Sequence, residues 1–473
     1  MAKLFGTDGM RGEAGRFPID PETMRMTGYS LARHLGTKLG RTPRLILGRD
    51  TRQSGAWIEA ALIEGARKAG AMCDSAGVIT TPGVAFLART LPADAGLVIS
   101  ASHNPYQDNG VKIFAPTGRK IDDATERLIE TDIHEARKNV NPEDNAQTGY
   151  ALSAVSDHPD DPEATIIDEE EQAQFDALKA RYLDYLTEEV ADGLRLDGLK
   201  IVLDCANGAA SQLAPALLAR LGAHVCAIND EPDGRNINYE CGSLHIDGLR
   251  RKVIAEEAML GVAFDGDADR ALFVDAAGQF VDGDAALWVM AGRMAARGEL
   301  TGDCVVATVM SNLGLELALR SHGIELLRTD VGDKYVLEEL LRTGASIGGE
   351  QSGHIILPRI SLAGDGMITT VNLLRAMIES GLALHELTEG FVRYPQVLVN
   401  VRVREKHPFA EVAEIARSMR ETEAALNKNG RLLLRYSGTE PLARVMIEGQ
   451  HLSEIERLAG RLAAVIKQTI GAS

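Results

Sequence analysis

Asp265, Asp267 and Asp269 follow a short apolar run, Leu260–Phe264, and Arg270 comes directly after them. Residues i, i+2 and i+4 of an extended segment face one side, so these carboxylates repel one another unless a cation sits among them. Oxygen-only donors on a short loop suit Mg²⁺ rather than zinc. A second loop has a complementary design. Ala95–Ile99 reads as a buried strand that stops at Ser100-Ala-Ser-His-Asn-Pro105, where a tight polar turn would hold the Ser102 hydroxyl at a fixed point. An activated serine with a divalent metal predicts phosphoryl transfer. A phosphorylated Ser102 would carry about −1.5 to −2 charges and would need that metal and nearby cations. Lys112, on a short strand expected at Gly110–Ile113, supplies one.

Three further stretches offer polar groups at useful spacing. Arg435, Ser437, Gly438 and Thr439 lie on a loop between two expected strands, with Arg444 on the second, and together make a complete phosphate clamp. An ordinary hairpin would look similar in isolation. Gly348-Gly-Glu-Gln-Ser-Gly-His354 holds Glu350 and Ser352, a carboxylate and a hydroxyl suited to a sugar's vicinal hydroxyls, although a polar turn also fits. Phe5–Gly12 is a glycine-spaced loop whose Arg11 could pair a phosphate. His103 and His354 read as supporting groups rather than proton carriers. A strand followed by Asp-x-Asp also marks haloacid-dehalogenase-like phosphatases, which use the first Asp as nucleophile. Those usually carry Thr or Val four residues later, where this chain has Asp269.

The elements that must position these groups are legible in outline. The chain has 473 residues, enough for three or four domains of ~150 residues, and its 45% apolar content can fill their cores. Its net charge of −18 provides no basic footprint for nucleic acid. The five cysteines are scattered without a CxxC pair, which argues against a disulfide framework or zinc site. With no signal-peptide core and no apolar run near the ~18 residues of a membrane span, a cytoplasmic protein is expected.

A strand–loop–helix–strand pattern recurs three times, starting at Arg44–Gly48, Lys200–Asp204 and Cys304–Thr308. Each helix stops near a glycine, Gly70, Gly222 or Gly323. These predict three related α/β domains with mixed, mainly parallel sheets. The last ~100 residues predict a smaller α+β domain, in which Ser453-Glu-Ile-Glu456 is a capping-box signature for the final helix. Residues 139–178 lack Lys and Arg and read as an acidic linker or insertion. The expected domains are 1–155, 156–257, 258–370 and 371–473, with the metal loop in the third.

Taken in order, the stretches Gly6-Thr-Asp-Gly-Met-Arg-Gly12, Ser100–Pro105, Asp265-Gly-Asp-Ala-Asp-Arg270, Glu350-Gln-Ser-Gly-His354 and Ser437-Gly-Thr-Glu-Pro441 resemble the α-D-phosphohexomutase superfamily. The resemblance spans essentially the whole chain, and five motifs in one order are very specific. Val331–Glu338, Tyr394–Asn400, Gln351 and Gly438 are similar to the branch that handles glucosamine phosphates. Glucose- and mannose-phosphate mutases more often carry Met at 351 and Asn at 438. The resemblance implies four domains around a central cleft. It implies a catalytic phosphoserine at Ser102, with Lys112, Arg11 and His103 beside it and Lys112 as the first choice of general base. One Mg²⁺ per chain would be held by Asp265, Asp267, Asp269 and an oxygen on Ser102. Arg270, Glu350, Ser352, Arg435, Ser437, Gly438, Thr439 and Arg444 would bind substrate.

The implied reaction interconverts glucosamine 6-phosphate and glucosamine 1-phosphate through a hexosamine 1,6-bisphosphate, which also serves as primer. It would feed amino-sugar nucleotide and cell-wall precursor synthesis. A mutase for glucose or mannose phosphates, a metal-dependent phosphosugar phosphatase and a non-catalytic sugar-phosphate sensor are the alternatives. The implied partner is a small phosphosugar, with no nucleic acid or membrane, and the chain is a monomer or homodimer. One departure stands out: the superfamily usually has Gly where this chain has Ala268. Ala there costs about a kcal/mol if the backbone needs positive φ and nothing otherwise.

Overall fold

A computed structural model describes residues 3–6, 8–138, 169–427, 430–437 and 440–472. Three of its sheets share one kernel. In the first, Arg44–Arg49 lies between Met72–Val78 and Ala95–Ile99 and runs parallel to both. In the second, Lys200–Asp204 lies in the same way between His224–Ile228 and Leu260–Phe264. In the third, Cys304–Thr308 lies between Glu325–Thr329 and Gly348–Gly349. Each kernel then adds one antiparallel strand: Asp108–Phe114, Ala271–Asp275 or Ile355–Ile356. The central strands are buried apolar runs, as they must be where connecting helices cover both faces.

Even the first turn repeats. Asp50 accepts the Arg52 N–H at 3.0 Å, Asp204 accepts the Ala206 N–H at 3.0 Å, and Thr308 accepts the Met310 N–H at 3.2 Å. A short oxygen side chain two residues before the N–H closes the same tight turn each time. The three expected helix stops are all left-handed: Gly70, Gly222 and Gly323 have φ of +86°, +99° and +74°.

The functional loops occupy one place in this scheme, between the last parallel strand and its antiparallel neighbour. Ser102 lies between Ala95–Ile99 and Asp108–Phe114, the three aspartates between Leu260–Phe264 and Ala271–Asp275, and Glu350 and Ser352 between Gly348–Gly349 and Ile355–Ile356. The N-terminal strands Phe5–Gly6 and Gly9–Glu13 extend the first sheet, with Arg11 opposite Gly110.

Several expectations are corrected. The strands flanking the three aspartates pair with each other and with Lys200–Asp204, so the metal loop belongs to the second sheet and the expected boundary at 257/258 falls inside that unit. Pattern reading registers an acidic loop but not the antiparallel pair that carries it. Likewise the expected boundary at 370/371 cuts the helix Gly366–Ser380, whose Met367, Val371 and Leu374 share a core with Ala286 and Leu287 of the third unit. The end of the expected acidic linker is a helix, Glu169–Asp184, with three glutamates in its first turn, where the macrodipole favours them. Residues 139–168 of that stretch lie outside the described residues. The final helix, Leu452–Ile470, starts before Ser453 and is preceded by His451 without a side-chain cap, so the capping box does not form. Its apolar face, Ile455, Leu458, Leu462 and Ile466, is buried.

The fourth unit is a three-stranded antiparallel sheet, Gln396–Arg402, Leu442–Gly449 and Gly430–Tyr436, backed by Ala413–Leu426 and the final helix. It has its own core, around Val401, Val445, Ile447 and Leu458. One larger core runs instead through the first three units, from Ile46 and Phe114 to Leu203, Phe264 and Val305.

Candidate active site

The serine loop and the aspartate loop meet face to face. Ser102 has φ of +53° and is fully buried. Its N–H donates to Ser100 Oγ at 2.8 Å, and Ser100 Oγ donates to Asp50 at 2.7 Å. Its carbonyl accepts from Arg52 at 2.8 Å and from Asn238 of the second unit at 2.9 Å. That carbonyl lies 2.6 Å from where a Cβ on Gly266 would be, so only glycine lets the two loops approach this closely. The hydroxyl so positioned donates to Asp265 Oδ2 at 2.5 Å.

Asp265, Asp267 and Asp269 are buried, and one oxygen from each lies within 4.8 Å of the others. Asp267 Oδ1 and Asp269 Oδ1 are buried without a hydrogen-bond partner. Burial first, then the charges of Asp269 and Asp267, pushes the Asp265 carboxyl well above its ordinary range. Converging hard oxygens with orphaned lone pairs fit a divalent cation such as Mg²⁺. Ala268, inside this loop, adopts φ of +55°, so the left-handed conformation that favours glycine is present.

Lys112 lies among three carboxylates. Its Nζ lies 2.9 Å from Asp267 Oδ2, 3.2 Å from Asp269 Oδ2 and 3.2 Å from Asp8 Oδ2. Burial by itself lowers the pKa of this amine. Asp267, Asp8 and Asp269 outweigh burial and hold its pKa well above the ordinary lysine value. A general base needs the opposite shift, and in this contact set the charged amine balances the three carboxylates. Arg11 pairs with Asp8, which also accepts from Lys120 at 2.5 Å.

His103 Nδ1 lies 3.3 Å from Ser102 Oγ and 3.1 Å from Arg270 Nη1. Burial, then Arg270 and Arg11, pushes it down to about 4, so the ring is neutral at physiological pH. His354 behaves oppositely. Despite burial, Asp269 (3.6 Å) and Asp333 (3.8 Å) raise it to about 9. Asp8, Lys120, Asp333 and Thr81, whose hydroxyl donates to Asp267 at 2.5 Å, are site residues that sequence reading missed. Asp8 sat inside a motif already singled out. Asp333 likewise lies inside the quoted stretch Val331–Glu338, whereas Lys120 and Thr81 come from segments with no local signal.

The third loop closes on the second. The Ala271 N–H donates to the Gly353 carbonyl at 3.2 Å, and the Gly366 N–H donates to the Ala268 carbonyl at 3.0 Å. Glu350 accepts from the Gly332 N–H at 3.2 Å and from Ser352 Oγ at 3.3 Å. Between the first and third units lies a cavity of about 530 Å³, which opens on Asp8, Lys112, Asp269 and His354.

The expected clamp stands apart. Arg435 and Arg444 lie directly opposite each other on adjacent strands. Like charges in that register are unfavourable unless an anion lies between them. Ser437 is buried, with its Oγ 3.4 Å from Arg444 Nη2, and Arg444 Nε is buried without a partner. Lys406, a further cation, donates to the Ser437 carbonyl at 2.7 Å. Gly438 and Thr439 lie outside the described residues. Arg435 approaches the third unit at Met310 Sδ, 4.0 Å away. Among the described residues, no hydrogen bond or ion pair joins Arg435, Ser437 or Arg444 to Ser102 or the three aspartates.

Four domain profiles of the phosphoglucomutase/phosphomannomutase family match the chain in order. Domain I matches residues 2–140, domain II 180–278, domain III 282–394 and the C-terminal domain 398–465. The chain belongs to this family, the α-D-phosphohexomutases, and is a phosphosugar mutase, an isomerase. It is 47% identical to the phosphoglucosamine mutase of Solibacter usitatus over 100% of both chains. It is 46% identical to that of Saccharopolyspora erythraea over 98% of this chain and 99% of the other. Its fold matches a phosphoglucomutase/phosphomannomutase family protein from Burkholderia thailandensis at a TM-score of 0.76 and 22% identity, covering 98% and 97% of the two chains. It also matches Aspergillus fumigatus N-acetylphosphoglucosamine mutase, solved with GlcNAc-6P and magnesium, at a TM-score of 0.63 and 18% identity, covering 98% and 95%. Among the described residues, no helix is long and apolar enough to cross a membrane.

Proposed function

We propose that this chain interconverts glucosamine 6-phosphate and glucosamine 1-phosphate through a phosphorylated Ser102. The observation that carries the reading is the buried Ser102 hydroxyl bonded at 2.5 Å to a carboxylate of a three-aspartate cluster. The sugar is supported by the full-length relatives named phosphoglucosamine mutase, at 43–47% identity. In the forward direction the seryl P–O bond breaks and a bond to the sugar O1 forms. The O1 proton leaves to a base, and Ser102 regains its hydroxyl as glucosamine 1,6-bisphosphate is made. The bisphosphate turns about, its 6-phosphoryl group passes back to Ser102, and the 1-phosphate is released. The same bisphosphate would prime an enzyme that lacks phosphate on Ser102.

Each part of the site has work in this scheme. Asp265, Asp267 and Asp269 would hold Mg²⁺, which when bound spreads the charge of a loose transition state. Lys112 balances the aspartate charge, while Arg270 and Arg11 face the transferring group. His103, neutral, accepts from Arg270 and orients it. Glu350 and Ser352 bind sugar hydroxyls. Arg435, Ser437 and Arg444, with Gly438 and Thr439, grip the phosphate that is not reacting. The clamp must accept either end of the sugar, so it recognises phosphate and not ring carbons. Approach of the fourth unit would exclude water and protect the seryl phosphate from hydrolysis.

The test combines intact mass with kinetics. A stable +80 Da adduct mapped to Ser102, and a higher kcat/KM for glucosamine 6-phosphate than for glucose or mannose 6-phosphate, is the expected result. A hydroxylamine-labile adduct on Asp265 with net phosphate release would replace the mutase with a phosphatase. Preference for glucose or mannose would move the chain to the other branch.

A further inference from the structure

A hydrogen-bonded path in the third unit has no part in the scheme above. It starts at Gln351, between Glu350 and Ser352. Gln351 Nε2 donates to Asp284 Oδ2 at 3.1 Å, and the Gln351 carbonyl accepts from the Gly283 N–H at 3.0 Å. The same Asp284 oxygen accepts the Asn312 N–H at 2.8 Å. The Asn312 side chain then grips the backbone of Tyr394 at two points. Its Oδ1 accepts the Tyr394 N–H at 2.9 Å, and its Nδ2 donates to the Tyr394 carbonyl at 3.0 Å. Tyr394 lies just before the first strand of the fourth unit, Gln396–Arg402.

Asn312 Nδ2 also donates to Glu448 of the fourth sheet at 3.1 Å. Glu448 pairs with Arg431 at 2.6 Å, and Arg431 donates to the Ser311 carbonyl at 3.0 Å. Asp284, Asn312 and Glu448 are almost wholly buried. Arg431 and Glu448 face each other at one end of the hairpin that carries Arg435 and Arg444. Four residues of strand separate the two pairs, roughly 13 Å. A small tilt about the Asn312–Glu448 contact therefore sweeps the clamp through a larger arc, as a lever does.

We propose that Asp284 is a positioning residue that couples occupancy of the Glu350–Ser352 loop to the attitude of the fourth unit. The proposal rests on the mutase reading above. Sugar hydroxyls that draw on Glu350 and Ser352 shift Gln351 between them. Asp284 passes that shift to Asn312, the residue holding both the connecting segment and the buried end of the hairpin. Affinity for the sugar and closure of the clamp are then linked, and the linkage runs both ways.

The test uses Gln351→Ala and Glu448→Gln, singly and together, in the full chain. The two side chains touch different partners and are joined through Asp284 and Asn312. Each single change is expected to lower kcat/KM for glucosamine 6-phosphate by about fivefold or more. The double variant should lose no more than the worse single variant. Losses that multiply, or single variants that lose nothing, overturn the proposal. Should Glu448→Gln fail to fold, Arg431→Lys weakens the same contact. Hydrogen exchange adds a readout that a purely structural role would not move. Glucosamine 6-phosphate should slow exchange at residues 394–400 and 431–436 in the unaltered protein but not in Gln351→Ala, and equal slowing in both overturns the coupling. If the unaltered protein turns over none of the sugar phosphates, the mutase reading fails first. Inorganic phosphate then serves as the probe: slowed exchange at 348–356, lost in Gln351→Ala, supports the coupling, and no change defeats it.

Discussion

The loop that carries Ser102 and the loop that carries Ser437 each present a buried serine, yet they are built differently. Around Ser102, Arg52, Asn238, Ser100 and Asp265 fix the backbone and the hydroxyl, and the bonds come from two units. Around Ser437 the partners Arg444, Glu440 and Lys406 all belong to the fourth unit. The first loop follows a strand whose Val98 lies in a core shared by three units, and the second sits on a unit with its own core. A reacting phosphoryl group must be held to a fraction of an ångström, whereas an anchoring phosphate needs only charge and a few donors. In the proposed scheme a bisphosphate turns about, and it would be better served by one rigid end and one that can part from it.

That contrast predicts losses of different size and kind. Ser102→Ala should lower turnover on the order of 10⁴-fold or more, with no +80 Da adduct in the intact mass. Turnover near the unaltered level would end the phosphoserine scheme. Asp267→Asn should follow, at about 10²-fold or more in kcat with a higher Mg²⁺ requirement in a metal titration. An unchanged titration would move the metal elsewhere. Arg444→Ala removes a charge-assisted hydrogen bond worth about 1.5–3 kcal/mol and should raise KM for the phosphosugar about ten- to a hundredfold while kcat changes less. A fall in kcat with constant KM would mean that the clamp takes part in the chemistry, and the contrast between the two loops would dissolve.

How far the sequence foretold this depends on where each residue's partners lie. Ser102 and the three aspartates were legible because each loop is continuous and follows an apolar strand. The loop after Arg435 was legible as a turn between two strands for the same reason. Asp8, Lys120 and Asp333 were not, because their meeting is made by packing the first unit against the third. Lys112 was found, but its surroundings were not legible. One sequence neighbour cannot show that three carboxylates from two units surround an amine. The sheet that holds the aspartates was misjudged because an antiparallel partner on the edge of a parallel kernel has no periodic signature of its own. The repeated Asp50, Asp204 and Thr308 turns explain why a shared pattern was visible with so little shared sequence: the turn needs only a short oxygen side chain.

A pH experiment separates the rigid centre from the clamp by another route. His354 is raised to about 9 against an ordinary value near 6.5, because Asp269 and Asp333 outweigh burial. A raised folded-state value means that the charged ring stabilises the fold fully below about pH 6.5, and that this contribution fades as pH rises through 9. His354→Gln should therefore lower the Tm of metal-free protein by several degrees at pH 6 and by much less at pH 9.5. A gap that is constant with pH would mean that the imidazole is neutral and its carboxylate neighbours are not holding a proton there.

The smallest effect belongs to Ala268. Its φ of +55° costs an alanine about 1–2 kcal/mol, which argues for glycine. Against that, its buried methyl is worth about 0.8 kcal/mol, and glycine would add about 0.4–1 kcal/mol of unfolded-state entropy to be lost on folding. The terms nearly cancel, so Ala268→Gly should change urea stability by less than about 1 kcal/mol and leave Mg²⁺ affinity unaltered. Ala268→Val should destabilise by clearly more, because a β-branched side chain is an outlier at positive φ. If glycine instead stabilised strongly, the loop would be storing strain, and the close fit of the serine and aspartate loops would owe less to their hydrogen bonds than the contrast with the clamp requires.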